Sequence, residues 1–172
     1  MSQALLVVDA QVNMFVPPWP VYDAETFLNR LLALLAYARA TGMPVFFVQN
    51  NGGAGEPDVP GTPGWQLDPR LARQPDEPVV QKQSGNAFGG TNLADLLAAH
   101  NVDSVIICGF QSEWCINATV RGAVELGYPV TLVSDGHSTL DLETPALEQI
   151  ETINAALGSI ATLATADSIL NP

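Results

Sequence analysis

The chain has 172 residues, of which 47% are hydrophobic and 14% charged, and its formal net charge is −12. This composition is typical of a globular domain and excludes a disordered chain. The acidic charge disfavours binding to nucleic acid or to an anionic membrane surface. The length suits one core of ordinary size, so we predict a single domain over residues 1–172.

No apolar run approaches the roughly 20 residues that a transmembrane helix needs. Residues 1–8 lack the basic start of a signal peptide, and their apolar stretch is too short for one. We therefore expect a cytoplasmic protein without membrane contacts. In that reducing compartment, Cys108 and Cys115 are expected to be free thiols.

Apolar strands alternate with helical segments along the chain. We predict strands over 4–8, 44–49, 77–81, 104–108, 129–133 and 159–163. We predict helices over 24–40, 91–99, 115–126, 145–157 and 166–170. Residues 51–64 are rich in Gly and Pro and must form a loop, and loops of that length are often functional. The alternation predicts an α/β fold with a parallel sheet covered on both faces.

Three residues with useful chemistry follow strands of this predicted sheet. Asp9 follows the first strand, Lys82 follows the third and is the only lysine, and Cys115 opens the helix after the fourth. Ligands of such sheets bind beyond the carboxyl ends of the strands, so we expect these side chains to meet there. A carboxylate, an ammonium and a thiol together suit nucleophilic catalysis. A loop cap, a surface lysine and a buried structural cysteine are the alternative interpretations.

The position of Cys115 at a helix start predicts a thiolate, because the helix dipole and the free N–H groups favour negative charge. The same N–H groups would suit an oxyanion. Cys108 lies inside an apolar strand and is predicted to be structural. Asn50 is a candidate polar contact to a substrate, and the candidate pocket walls are Phe15, Trp65, Phe88 and Trp114.

Three motifs then occur in a specific order along nearly the whole chain. They are Leu6-Val7-Val8-Asp9-Ala10-Gln11 with Phe15, Lys82 with Ala87-Phe88 and Thr91-Asn92-Leu93, and Gly109-Phe110-Gln111-Ser112-Glu113-Trp114-Cys115. With these motifs the sequence resembles the isochorismatase-like cysteine hydrolases, which include nicotinamidases and N-carbamoylsarcosine amidases.

The resemblance implies a three-layer α/β/α sandwich on a mainly parallel, roughly six-stranded sheet with a Rossmann-like topology. It implies that Asp9, Lys82 and Cys115 form the catalytic triad. It also implies a cis peptide bond between Phe110 and Gln111, and an oxyanion hole formed by the backbone N–H groups of Gln111 and Cys115. A small-molecule substrate and a homo-oligomer, a dimer or larger, are further implications.

The sequence departs from the nicotinamidase pattern at residues 49–53, where the metal-binding histidines of those enzymes are missing. We therefore expect neither a metal nor another cofactor. Because isochorismatases that hydrolyse a vinyl ether need no nucleophile, the presence of Cys115 favours acyl transfer. The predicted reaction is hydrolysis of an amide, carbamoyl or ureide-like C–N bond through a thioester.

Several alternatives stay open from the sequence. Cys115 and His137 would form the active pair in a different hydrolase mechanism, and a vinyl-ether hydrolase is a further enzymatic alternative. A Rossmann-like binding module or a catalytically inactive scaffold would also keep this fold. The sequence does not identify the substrate, nor whether His137 or Asp141 contributes to the pocket.

Overall fold

The computed structural model describes residues 2–171, which form one sheet of six parallel strands. The strands are β1 (Gln3–Val8), β2 (Val45–Asn50), β3 (Val79–Lys82), β4 (Ser104–Phe110), β5 (Val130–Ser138) and β6 (Thr162–Ala164). Their order across the sheet is β3-β2-β1-β4-β5-β6, and every neighbouring pair is parallel. The predicted parallel sheet is therefore confirmed.

Five α-helices cover this sheet on both faces. They are α1 (Ala24–Thr41), α2 (Leu93–Ala99), α3 (Asn117–Glu125), α4 (Ala146–Leu157) and α5 (Ala166–Leu170), and a π-helical turn at Ser112–Ile116 leads into α3. Helices α1 and α5 contribute to the core on one face, and α2 and α3 to the core on the other. None of the helices within residues 2–171 combines the length and apolar character that crossing a membrane requires.

The central strand β1 explains why the sequence pattern is apolar without alternation. Leu5 and Val7 point into the core under α1, while Leu6 and Val8 point into the core under α2 and α3. These four side chains are at most 1% exposed. A strand covered on both faces must be apolar at successive positions, whereas a half-exposed strand would alternate.

The strand order reverses between β1 and β4, which are neighbours in the sheet. The chain builds the β1-β2-β3 half first and then returns to the other side of β1 to build β4-β5-β6. The crevice at such a reversal, beyond the carboxyl ends of the strands, is where open parallel sheets bind ligands. Asp9 follows β1 at this point, and the turn with Cys115 follows β4.

Strands β4 and β5 extend two or more residues beyond the predicted bounds. Strand β4 continues from Cys108 to Phe110, and β5 continues from Val133 to Ser138, with Gly109 paired to His137. The apolar signal ends earlier in both strands, because the added residues include Gly and polar side chains that take up contacts at the site. The structure therefore buries His137 within a strand, where the sequence predicted a loop.

Candidate active site

Asp9 ends β1 with its side chain buried. The residue is 1% exposed and has a left-handed backbone with φ of 51°. That conformation is uncommon for residues other than glycine, although aspartate tolerates it better than most. The backbone N–H of Asp9 donates to the Val48 carbonyl on β2 at 2.9 Å, so the turn is held to the sheet.

Lys82 is the last residue of β3, and its buried ammonium is shared among three groups. The Nζ atom lies 2.8 Å from Oδ2 of Asp9 and donates to Sγ of Cys115 at 3.1 Å and to Oδ1 of Asn50 at 3.0 Å. The ammonium thus makes two hydrogen bonds and one ion pair. Lys82 thereby brings the carboxylate and the thiol to one point, as the sequence predicted.

Cys115 lies inside the π-helical turn Ser112–Ile116, where the sequence predicted the first residue of a helix. The α-helix α3 begins only at Asn117. Single π-turns of this kind are frequent at functional sites. The Cys115 side chain is half-buried, so it is within reach of a bound molecule.

The protonation of these groups follows from burial and from their mutual charges. Burial raises the pKa of Cys115 to about 12, with Asp9 adding to the increase and Lys82 opposing it. Burial likewise raises the pKa of Asp9 against the effect of Lys82. Burial lowers the pKa of Lys82, but the charges of Asp9 and Cys115 outweigh this and raise it overall. Burial and the charge of Asp9 therefore favour the neutral thiol of Cys115, whereas the helix start in the sequence favoured the thiolate.

The Asp9 carboxylate is left available for proton transfer. Neither of its oxygens makes a hydrogen bond of regular geometry with the residues that the structure describes, although both are inaccessible to solvent. Its compensation is the charge of Lys82. A buried carboxylate that faces a cation and a thiol is suited to accept the thiol proton.

Asn50 connects Lys82 to a second buried carboxylate, which the sequence analysis did not identify. The Asn50 amide accepts from Lys82 and donates from Nδ2 to Oδ2 of Asp58 at 2.7 Å. The side chain of Gln11 also donates to the Asn50 carbonyl at 3.0 Å and accepts from its N–H at 2.8 Å. Asn50 is thus held rigidly beside the ammonium. The signals were the length of the 51–64 loop, which contains Asp58, and the place of Gln11 in the first motif.

A pocket of about 300 Å³ opens above these groups. Asp9, Cys115 and Gln111 line it, and so do Asn50 and Trp114, as predicted. Trp114 is 66% exposed at the rim. The other lining residues include Asn13, Met14, Glu56, Pro57, Asp58 and Gln83.

Three predicted wall residues, Phe15, Trp65 and Phe88, lie outside this pocket. The Phe15 ring is buried against Phe110 in an edge-to-face contact at 5.3 Å. The Trp65 indole donates to Asn51 at 2.8 Å, which fixes the long loop. The Phe88 ring stacks on Tyr128 at 6.0 Å. Each aromatic side chain makes a packing contact or a hydrogen bond to another part of the fold, and its sequence position alone does not indicate that contact.

The peptide bond between Phe110 and Gln111 is cis, in agreement with the prediction. Gly109 just before it has φ of 125°, and a Cβ atom there would overlap the backbone of Val8 on β1. Only glycine allows this close approach. Gln111 and Cys115 then both line the same pocket, which is the arrangement that two N–H donors to one oxyanion require.

His137 contacts neither Cys115 nor Asp9, because both of its ring nitrogens have other partners. Its Nδ1 lies 2.8 Å from the Ser112 hydroxyl, and its Nε2 lies 3.0 Å from Oδ1 of Asn154. Asn154 donates its amide to the Ser134 carbonyl, so Oδ1 is its acceptor. His137 consequently donates from Nε2 and accepts from Ser112 at Nδ1. The Cys–His alternative is therefore not supported, and His137 anchors the turn that contains Cys115.

Asp141 also has a structural contact, since it accepts from the backbone N–H of Ala146 at the start of α4. Among residues 2–171, no three His, Cys, Asp or Glu side chains are grouped as a metal site would require. The residues of the missing nicotinamidase motif make other contacts here, with Asn50 bound to Lys82 and Asn51 bound to Trp65.

Comparisons with known proteins identify the family of the chain. The sequence-family model of the isochorismatase domain matches residues 3–165 of this chain. A streptothricin hydrolase from Streptomyces noursei is 42% identical over 160 residues, which cover 92% of this chain and 57% of that protein. An N-carbamoylsarcosine amidase from Arthrobacter sp is 29% identical over 129 residues, covering 64% of this chain and 49% of that protein.

Among solved structures, an isochorismatase from Pseudomonas putida KT2440 superposes with a TM-score of 0.90 at 30% identity, covering 96% of this chain and 89% of that chain. A second streptothricin hydrolase from Streptomyces noursei is 43% identical, and the chain spans 63% of its length. The chain thus spans about 60% of these two curated relatives.

Proposed function

The chain belongs to the isochorismatase family of hydrolases, and on that premise we propose that it hydrolyses a C–N bond of a small amide, carbamoyl or ureide-like compound, with Cys115 as nucleophile. The observation that carries the proposal is the position of the Lys82 ammonium, 2.8 Å from Asp9 and 3.1 Å from the Cys115 sulfur. This is the contact set that a nucleophile, a base and an orienting cation require.

The first half of the reaction forms a thioester. Asp9 accepts the Cys115 proton as the sulfur attacks the carbonyl carbon, so the thiol does not have to ionise in advance. The N–H groups of Gln111 and Cys115 hold the oxyanion that develops. The C–N bond then breaks, and Asp9 returns its proton to the leaving amine. The raised pKa of Asp9 suits it to this exchange, because it narrows the difference from the thiol.

The second half releases the product. Asp9 takes a proton from a water molecule, which attacks the thioester carbon. The C–S bond then breaks, the carboxylic acid leaves, and the proton on Asp9 returns to the Cys115 sulfur. Lys82 stays charged throughout, because the charges of Asp9 and Cys115 raise its pKa. Its role is to orient Asp9 and to stabilise negative charge on the sulfur.

The relatives support amide-type substrates through their names, streptothricin hydrolase and N-carbamoylsarcosine amidase. The charges around the pocket favour the same class over a vinyl ether such as isochorismate. Asp9, Glu56 and Asp58 line the pocket, and no Lys, Arg or His is among the described lining residues. Isochorismate carries carboxylate groups, which this lining would repel. Uncharged or cationic amides fit it better.

The test uses a panel of primary carboxamides, carbamoyl compounds and ureides. Turnover of each compound is measured as the release of ammonia. Hydroxylamine is added in parallel, because a thioester transfers its acyl group to hydroxylamine and yields a hydroxamate. We expect turnover of at least one amide with hydroxamate formation, and a mass increase on Cys115 under rapid quenching. Amide turnover with neither hydroxamate nor adduct contradicts the covalent mechanism. Turnover of a vinyl ether alone contradicts the proposed reaction.

A further inference from the structure

A second, more apolar cavity lies beside the candidate active site. It is a groove of about 770 Å³ between the segment after β1, the 51–64 loop and the segment after β5. Its walls include Trp19 and Leu142, which are 62% and 61% exposed. The remaining apolar lining consists of Val12, Met14, Val16, Pro17, Pro18, Pro57, Pro63 and Leu140. Large apolar side chains that are exposed together are typical of a ligand-binding groove or of a surface that contacts a protein or a membrane.

The groove is adjacent to the pocket that contains Cys115. Both cavities are lined by Asn13, Met14, Glu56, Pro57 and Gln111. The shared edge is built firmly, since the N–H of Asn13 donates to the Gly64 carbonyl at 3.2 Å, and that of Val21 to the Met14 carbonyl at 2.9 Å. This shared edge puts the groove within reach of a molecule whose reacting carbon is at Cys115.

The two cavities differ in which end of a substrate they suit. Asp9 lines the pocket and not the groove. In the proposed function, Asp9 gives its proton to the leaving amine, so the amine lies on the pocket side of the carbonyl. Gln111 lines both cavities and holds the carbonyl oxygen. The acyl substituent, on the opposite side of the carbonyl from the amine, then points toward the groove.

We propose that this groove binds the acyl substituent of the substrate and selects an uncharged apolar chain or ring. The inference rests on the proposed function and adds the substrate class to it. Glu56 is the one charged residue among the described lining residues, and no Lys, Arg or His is present to bind a carboxylate. Diacids and amino acid amides with acidic side chains are thereby disfavoured, and aliphatic or aromatic carboxamides are favoured.

The experiment uses aliphatic aldehydes, which mimic the acyl half of the substrate and do not need to be hydrolysed. The Cys115 thiol adds across the aldehyde C=O, the S–C bond forms, and the thiol proton moves to the oxygen. Bound aldehyde protects Cys115 from iodoacetamide, and the concentration that halves labelling gives the affinity. Acetaldehyde, butanal and hexanal are compared. Burying a methylene contributes about 0.8 kcal/mol, or up to roughly fourfold in affinity, so hexanal should bind at least tenfold more tightly than acetaldehyde.

Two groove variants and one matched control locate the effect. Leu142→Asn and Trp19→Ala change exposed side chains of the groove, and Leu126→Asn makes the same leucine exchange at a 56% exposed position after α3. We expect the hexanal-to-acetaldehyde affinity ratio to fall at least fivefold in both groove variants and to be unchanged in Leu126→Asn. If Trp19→Ala does not fold, as judged by circular dichroism, Leu142→Asn alone decides.

An affinity ratio near one in the unmodified protein overturns the inference, as does a ratio that neither groove variant changes. A second copy of the chain is the competing occupant. Its signature is a lower mass by light scattering in Trp19→Ala with an unchanged affinity ratio, and this also overturns the inference. Amide turnover, measured separately on acetamide and hexanamide, tests the proposed function. Absent turnover with a large aldehyde ratio would reject the reaction and not the apolar subsite.

Discussion

The two cysteines lie on one continuous segment, from strand β4 into the turn that follows, and they have opposite surroundings. Cys108 is fully buried in β4, and among residues 2–171 the one polar partner of its sulfur is the Leu6 carbonyl at 3.6 Å. Cys115 is half-buried beside Lys82 and Asp9. The pKa of each thiol is raised to about 12, for Cys108 by burial alone.

A thiol pKa alone therefore does not distinguish a structural cysteine from a nucleophile. The difference lies in the neighbours. Around Cys115 burial acts together with a carboxylate that raises the thiol pKa and an ammonium that lowers it. In the proposed mechanism the proton of Cys115 passes to the neighbouring Asp9, whereas Cys108 has no base among its described contacts. On this proposal, the group that accepts the proton decides which of the two thiols is reactive.

The largest expected effect is the contrast between removing each cysteine. Cys115→Ala should lower amide turnover on the order of 10⁶-fold, the scale observed when a hydrolase loses its nucleophile. Cys108→Ala should keep turnover and lose about 1 kcal/mol of unfolding free energy, since it only truncates a buried side chain. Steady-state kinetics and urea denaturation measure the two effects. Turnover that persists in Cys115→Ala would reject the proposal that Cys115 is the nucleophile.

Asp9→Asn should separate reactivity from catalysis. Removing the base should reduce amide turnover by about 10²- to 10⁴-fold. The same change should lower the pKa of Cys115, because Asp9 raises it. A lower pKa means more thiolate at any pH below it, so iodoacetamide should label Cys115 faster at pH 9 than in the unmodified protein. Asp95→Asn, an equal charge change at an exposed site on α2, is the control. Slower labelling in Asp9→Asn would contradict the sign.

Lys82→Met should shift labelling the other way. Lys82 lowers the pKa of Cys115, so its loss should raise that pKa further and move the whole labelling curve to higher pH. A neighbouring charge typically changes the acid dissociation constant of a group by a factor of about 10 to 1000. Labelling of Cys115 at pH 9 should therefore slow by at least roughly tenfold. The pH dependence of iodoacetamide labelling measures this, with Cys115→Ala giving the background from Cys108. An unchanged curve would show that the ammonium does not act on the thiol.

Removal of metal ions is the change from which we expect no effect on turnover. Dialysis against a chelator should leave amide turnover unchanged, because the proposed steps use only Asp9, Lys82, Cys115 and backbone N–H groups. Turnover with and without the chelator is compared, and metal content is measured on the dialysed protein. If turnover is lost and zinc or iron restores it, proton transfer at Cys115 depends on a metal. The difference between the two cysteines would then involve a metal in addition to Asp9 and Lys82.

The sequence predicted that three chemically useful side chains meet, because strand ends in a parallel sheet share one edge, wherever they lie in the chain. Asp9, Lys82 and Cys115 each follow or end a strand that its apolar residues identify. The parallel sheet could be predicted for the same reason, since alternating strands and helices leave few other arrangements. These inferences depend on the order of elements and not on side-chain detail.

The pocket walls and the protonation of Cys115 could not be predicted in this way. Phe15, Trp65 and Phe88 resemble wall residues in the sequence, yet their positions are decided by contacts with Phe110, Asn51 and Tyr128. Loop conformation depends on such tertiary contacts, which sequence spacing does not encode. The predicted thiolate is opposed by burial, a property of the whole fold that the position of Cys115 near a helix start does not reveal.

The burial of Lys82 gives the protein an unusual chemical property. It is the only lysine in the sequence, and its side chain is 0% exposed in the ion pair. Amine-directed acylation therefore finds no lysine on the surface of the folded chain, and a lysine-specific protease finds its one cleavage site, after residue 82, closed. Cleavage there becomes a built-in reporter, since the rate at which the chain is cut measures how often β3 detaches and the candidate active site comes apart.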